Sequence, residues 1–137
     1  MSLIIRPVQP QYVHQTWPLV EKFIADAAQY GGDDYTVEQI KVFLANGEWL
    51  LVVAVDEQGA IHGAMTASFI NYPNDRVAFV TATGGKMIIN ADSLEQLKAI
   101  LKQMGATKIQ AAARPAMVKL LSRTGFYERY TTVETRV

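Results

Sequence analysis

The stretch that most constrains the fold is WLLVVAVDEQGAIHGAMTASFIN, residues 49–71. Trp49–Val55 is apolar and rich in β-branched side chains, which is typical of a buried strand. The Asp-Glu-Gln-Gly sequence at residues 56–59 favours a tight turn, and Ile61–Asn71 follows it as the returning strand. We therefore expect a β-hairpin built on a buried strand.

On the N-terminal side of this hairpin, a strand at Leu3–Ile5 is closed by Pro7 and Pro10. Apolar residues at helical spacing then predict a helix that Pro18 kinks or restarts; they are Val13, Trp17, Val20 and Ile24. A Gly- and Asp-rich loop follows at residues 30–35. Thr36 and Gln39 form a capping box for a second helix, which ends at Asn46-Gly47.

On the C-terminal side, the pattern predicts a strand at Arg76–Thr83, whereas residues 84–93 are difficult to assign. A helix begins near Asn90 or Asp92 and ends at Gly105. The remaining elements are a strand, a helix and a closing strand; they are predicted at Lys108–Ala113, Pro115–Gly125 and Tyr127–Val137. The order β-α-α-β-β-β-α-β-α-β predicts one α/β (mixed α+β) domain over residues 1–137, with a mixed sheet and helices on both faces.

Composition excludes several classes of protein. The chain has 137 residues, 13 basic and 13 acidic, so nothing indicates a nucleic-acid partner. It has no cysteine, which excludes disulfides and a thiol nucleophile. His14 and His62 are not at ligand spacing, and we expect no metal. No apolar run is long enough for a membrane helix or a signal peptide, and we expect a cytoplasmic protein.

Three phrases in this order resemble the GNAT superfamily of acyl-CoA-dependent N-acyltransferases. Ile5-Arg6-Pro7 is similar to the family's opening strand, and residues 52–63 are similar to its acidic-turn hairpin. Residues 120–126, LLSRTGF, are similar to the family's "LYEKxGF" run. The resemblance covers essentially the whole chain and implies a GNAT-like mixed sheet and an acetyltransferase that takes acetyl-CoA as co-substrate.

The resemblance also implies a cofactor site beside the fourth strand. Backbone amides around Val80, Thr81 and Ala82 would bind the thioester and pantetheine arm, while Gly84, Gly85, Lys86 and Arg114 would meet the phosphates. The family's R/Q-x-x-G-x-G/A loop is replaced here by TGGKMIINAD, residues 83–92. Asp92 would place a negative charge where the phosphates are expected. In this departure the chain resembles short, divergent members encoded in some phage genomes.

The groups for acid–base chemistry are less well defined. Leu121 stands where many family members have the tyrosine that protonates the leaving thiolate, and Arg114 replaces an asparagine. Tyr127 and Tyr130 are the candidate catalytic acids, with ordinary strand aromatics as the alternative. Glu48 and His62 are candidate bases. The alternative is a solvated strand end for Glu48 and a surface or partly packed hairpin residue for His62.

The loop between the first two helices borders the acceptor site in this fold. Asp33 and Asp34 would hold a cationic amine there, between Tyr30 and Tyr35, and a polar surface turn is the alternative. The acceptor is expected to be a small-molecule or peptide amine, and a homodimer is left open. A catalytically inactive GNAT-fold binding or structural protein, and an unrelated two-layer domain, are the competing hypotheses.

Overall fold

The structure, a computed structural model, describes residues 2–29, 34–87 and 90–137. Within these residues, five strands and four α-helices follow the predicted order as far as the last helix, which confirms the mixed α/β architecture. The strands are β1 (Ile4–Val8), β2 (Leu50–Val55), β3 (Ile61–Asn71), β4 (Arg76–Gly85) and β5 (Lys108–Ala111). The helices are α1 (Val13–Ala28), α2 (Val37–Ala45), α3 (Ala91–Gln103) and α4 (Pro115–Ser122).

The sheet has the spatial order β1-β2-β3-β4-β5. The first four strands form an antiparallel meander, and β5 then joins β4 in parallel. The predicted hairpin is confirmed as β2 and β3, and all six residues of β2 are buried. Pro7 lies within β1 and does not end it. An edge strand tolerates proline because one row of its backbone groups needs no partner.

Alternate residues of β2 enter two separate cores. Leu50, Val52 and Ala54 pack on the face covered by α3. Leu51, Val53 and Val55 pack on the opposite face with α1 and α2. Both faces of the sheet are therefore covered by helices, as expected for an apolar strand without polar alternation.

Local helix signals are largely confirmed. Thr36 and Gln39 make the reciprocal capping box of α2. Asn90 is the N-cap of α3, accepting a hydrogen bond from the Ser93 amide (2.9 Å), so the Asp92 alternative for the cap is wrong. The helix α1 runs from Val13 to Ala28 with Pro18 inside it. Among the described residues, no helix combines the length and apolar character needed to cross a membrane.

The predicted closing strand at Tyr127–Val137 is wrong. These residues have no regular secondary structure, and all of them are exposed. Their sequence has the strand propensity, but a strand also requires a neighbouring backbone to pair with. The sheet in the described chain instead ends at β5, which is only four residues long.

Candidate functional site

Strand β4 contains a β-bulge at Thr81. Its register with β3 pairs Val80 with Ala67 and Ala82 with Thr66, so Thr81 is the extra residue. The burial pattern confirms the shift: Ala78 belongs to the α3-side core, whereas Ala82 belongs to the core beneath α1 and α2. A bulge bends the strand that carries it and interrupts regular pairing.

The bulge is held by a hydrogen bond between two threonine hydroxyls. Thr66 Oγ1 and Thr81 Oγ1 are 2.7 Å apart. Thr66 is fully buried (0% exposed), so its hydroxyl depends on a protein partner. The pair ties the extra residue of β4 to the neighbouring strand β3.

Beyond the bulge, β4 extends past the end of β5. The parallel ladder ends at the pair Val80 and Ala111, although β4 continues to Gly85. On that side of β4, no strand of the described chain pairs with residues 81–85. Because every backbone N–H and C=O needs a partner or water, residues 81–85 offer hydrogen-bonding groups along a strand edge without a strand partner, and we call the space beside this open edge, beyond the end of β5, the gap. Of the predicted thioester-binding residues, Thr81 and Ala82 border this gap, while Val80 lies in the last pair of the ladder.

Gly84 and Gly85 make close backbone contacts with neighbouring elements. A Cβ atom on Gly84 would collide with the carbonyl oxygen of Phe23 in α1. Gly85 has φ +69° and approaches the carbonyl oxygen of His62, which accepts a 2.8 Å hydrogen bond from the Lys86 amide. Packing against α1 and β3 therefore requires glycine at these two positions, whether or not a phosphate approaches them.

Five residues, 86–90, separate the end of β4 from the start of α3. Met87 is buried in the α3-side core, and Ile88 and Ile89 lie outside the described residues. The Asp92 carboxylate accepts a hydrogen bond from the Gln96 amide (2.9 Å), and Gln96 in turn bonds the backbone of β1. These bonds link Asp92 to the side of α3 that faces β1. In the sheet, β1 is three strand positions away from β4.

The predicted catalytic tyrosines lie on an exposed segment. Tyr127 is 80% and Tyr130 67% exposed. Leu121 is half-buried on α4, and Arg114 is the N-cap residue of that helix. Arg114 follows the last residue of β5 by three positions. The roles assigned to these residues stay predictions.

Only part of the predicted acceptor loop is described. Tyr30 and Asp33 lie outside the described residues, whereas Asp34 and Tyr35 lie within them, both exposed. The Tyr35 ring meets the edge of the Trp49 ring (centroids 4.7 Å apart, interplanar angle 87°), and Phe43 stacks on Trp49 at 4.7 Å. Trp49 packs against the α1/α2-side core, so the expectation that it is a core residue holds in part.

The two candidate bases make local structural contacts. His62 Nε2 donates to Asp56 Oδ2 (2.7 Å), across the turn of the β2–β3 hairpin. This bond, with further ones from the Ala60 and Gln58 amides, lowers the pKa of Asp56. Glu48 Oε1 accepts from Asn46 Nδ2 (3.1 Å) after α2. Within the described residues, no group of three or more potential ligand side chains is placed to bind a metal ion.

Solved structures identify the fold. The chain is similar to an aminoglycoside acetyltransferase from an uncultured soil metagenomic sample, with TM-score 0.70 and 18% identity over 100% of this chain and 99% of that chain. It is also similar to a ribosomal-protein-alanine N-acetyltransferase from Brucella melitensis biovar Abortus 2308 (TM-score 0.68, 16% identity, 99% of both chains). A third is a predicted acetyltransferase with acetyl-CoA from Clostridium acetobutylicum (TM-score 0.66, 16% identity, 98% and 96% covered). No family model matches the sequence, and no curated protein does. The fold is that of the GNAT-type acetyltransferases.

Sequence reasoning missed the threonine pair at the bulge and the contact between Gly84 and Phe23. Thr66 and Thr81 are ordinary strand residues by pattern, and nothing in the sequence marks one as the partner of the other. The Gly84-Gly85 dipeptide was a visible signal, but glycine permits close approach by a helix as readily as by a phosphate.

Proposed function

We propose that the protein is an acyl-CoA-dependent N-acyltransferase that transfers an acetyl group from acetyl-CoA to a primary amine. The observation that carries the proposal is the gap beside β4 beyond the Thr81 bulge. A GNAT-type fold supports it, since the solved structures it resembles are acetyltransferases and one of them is described with acetyl-CoA.

In the proposed reaction, the amine nitrogen attacks the thioester carbonyl carbon, a C–N bond forms and the C–S bond breaks. The nitrogen loses a proton, and the departing thiolate takes one up. Amides of Thr81 and Ala82 would bind the thioester carbonyl and the pantetheine arm at the strand edge. Preorganised backbone donors stabilise charge that develops on a carbonyl oxygen without a specific side chain. Lys86 and Arg114 would meet the phosphates.

The amine acceptor is proposed to approach on the α1/α2 side of the sheet. Trp49 precedes Leu50, which pairs with Ala67, and Ala67 pairs with Val80. The aromatic side chains of Tyr35, Phe43 and Trp49 therefore lie at the same height along the sheet as the bulge. The start of β2 is two strands from the bulge in β4, which is about 10 Å at ordinary strand spacing. Aromatic rings together with the Asp34 carboxylate suit a cationic amine, since ring faces and carboxylates both attract cations.

A second candidate is a GNAT-fold binding protein without catalysis. Leu121 at the usual acid position favours it, as does the packing of Gly84 and Gly85 against α1 and β3. On this alternative, acyl-CoA or another ligand binds without turnover.

Isothermal titration with acetyl-CoA and with CoA tests the proposal, followed by an amine screen that measures free thiol. Binding with thiol release that depends on the amine supports the acyltransferase. Binding without thiol release supports the inactive alternative, and no heat at millimolar acetyl-CoA removes the cofactor site altogether. Lys86→Ala and Arg114→Ala should weaken binding, whereas Lys119→Ala, on the exposed side of α4, serves as a matched control for loss of positive charge.

A further inference from the structure

The strand β3 carries a second β-bulge, at His62. Ala54 of β2 pairs with Gly63. The next residue of β2, Val55, pairs with Ile61, so His62 is the extra residue and is left without a partner on β2. A bulge changes the direction in which the extra residue points its side chain and its backbone groups. At His62 the ring and the carbonyl oxygen both have partners in neighbouring segments.

The ring of His62 is held by the turn of the β2–β3 hairpin. Its Nε2 lies 2.7 Å from Asp56 Oδ2, and the two side chains are only 29% and 17% exposed. The other carboxylate oxygen, Oδ1, accepts hydrogen bonds from the Gln58 and Ala60 amides (2.9 Å each). The backbone of the turn therefore fixes the carboxylate, and the carboxylate fixes the ring.

The carbonyl oxygen of His62 holds the chain where it leaves β4. It accepts a 2.8 Å hydrogen bond from the Lys86 amide, one position beyond the ladder pair of Gly63 and Gly85. The chain then passes over Gly63, where a Cβ atom would come within 2.9 Å of the backbone of Lys86 and Met87. Because the Met87 side chain is buried, the Lys86 backbone is held on both sides while its side chain is exposed.

We propose that His62 is a positioning residue for the acyl donor, acting through Lys86 as part of a clamp formed by Asp56, His62 and Gly63. The inference rests on the proposed function, in which Lys86 meets the phosphates of acetyl-CoA. Because the Lys86 amide is bonded to His62, Lys86 offers a phosphate its charged side chain and not its backbone N–H. The clamp orders the Lys86 backbone before the donor arrives, so that binding does not have to supply the conformational entropy of ordering it.

The first test needs no ligand and follows hydrogen exchange of the Lys86 amide by NMR. His62→Leu removes the donor to Asp56, and we expect the Lys86 amide to exchange about tenfold faster. His62→Gln, whose side-chain nitrogen donates in place of Nε2, should restore the wild-type rate. An unchanged rate in His62→Leu overturns the proposal.

Two further variants support this comparison. His14→Leu, the same replacement at an exposed residue of α1, is the matched control and should leave the exchange of the Lys86 amide as it is. His62→Ser, which is too short to reach Asp56, takes the place of His62→Leu if the leucine variant folds poorly. It should show the same faster exchange, and a wild-type rate in His62→Ser equally overturns the proposal.

The second test is isothermal titration with acetyl-CoA in the absence of an amine, so that a loss of acid–base chemistry has no effect. We expect the Kd to rise about fivefold in His62→Leu and about tenfold in Lys86→Ala. The double variant should bind no more weakly than Lys86→Ala, because His62 acts only through Lys86. Losses that add in the double variant contradict the proposal.

The titration also separates this inference from the proposed function. A wild type that binds no acetyl-CoA overturns the proposed function together with the role of His62. A wild type and a His62→Leu variant that bind acetyl-CoA equally well overturn the role of His62 alone. A lowered Tm with an unchanged Kd in His62→Leu would assign the clamp to stability only and likewise overturn the proposal.

Discussion

Replacing the bulge residue Thr81 with valine removes the hydrogen-bond partner of the Thr66 hydroxyl. The two Oγ1 atoms are 2.7 Å apart, and Thr66 is fully buried, so water cannot take the place of the lost partner on that side. A hydrogen bond lost from a buried pair, with one hydroxyl left behind, costs about 1–2 kcal/mol. For a chain of this size we expect Tm to fall by about 4–8 °C.

The double variant Thr66→Val/Thr81→Val sharpens this prediction. Replacing both partners with apolar groups of the same shape removes the unpaired hydroxyl and is nearly neutral. The double-mutant cycle should therefore show a coupling free energy of about 1 kcal/mol in denaturant unfolding. Thr83→Val, at an exposed residue of the same strand, is the control and should change stability by less than about 0.5 kcal/mol. Single variants whose effects simply add would refute the idea that the two hydroxyls act as a pair.

Three further predictions concern the same framework. Gly84→Ala should lower stability by about 3 kcal/mol or prevent folding, since the added Cβ collides with the Phe23 carbonyl oxygen, and soluble protein of wild-type Tm would contradict this. Because folding lowers the pKa of Asp56, its carboxylate stabilises the protein at pH values above the unfolded-state pKa, and this stability is lost as pH falls through the folded-state pKa. The Tm of the wild type should therefore fall more steeply below about pH 4 than the Tm of Asp56→Asn. Parallel plots of Tm against pH for the two proteins would reject the contribution of the His62 bond. Gln96→Leu leaves the Ile5 amide of β1 and the Leu3 carbonyl before it without their hydrogen bonds, and should cost about 1–3 kcal/mol in chemical unfolding, with an unchanged midpoint as the opposing result.

Much of the fold follows from short-range patterns. The buried run before Asp56 and the turn after it predict the hairpin, and the Thr36–Gln39 capping box predicts the start of α2. These features depend on residues close in sequence, so they can be predicted from the sequence alone. The order of the elements then predicts a mixed sheet with helices on both faces, and the resemblance to the GNAT superfamily implies the same architecture.

The details that shape the candidate site depend on distant contacts. The bulge at Thr81 is a matter of register between β3 and β4, and its partner Thr66 is 15 residues away. The need for glycine at position 84 comes from the backbone of Phe23 in α1. The predicted last strand failed for a related reason, because strand propensity in Tyr127–Val137 does not provide a neighbour to pair with.

The central claim is that the edge of β4 beyond the bulge binds an acyl-CoA thioester. The most direct measurement is a ¹H–¹⁵N correlation spectrum of the labelled protein during titration with acetyl-CoA. We expect the amide signals of Thr81, Ala82 and Thr83 to shift progressively to saturation, while those of the exposed outer face of α2, such as Val42, stay in place. Amides at 81–83 that do not respond at millimolar acetyl-CoA would contradict the account.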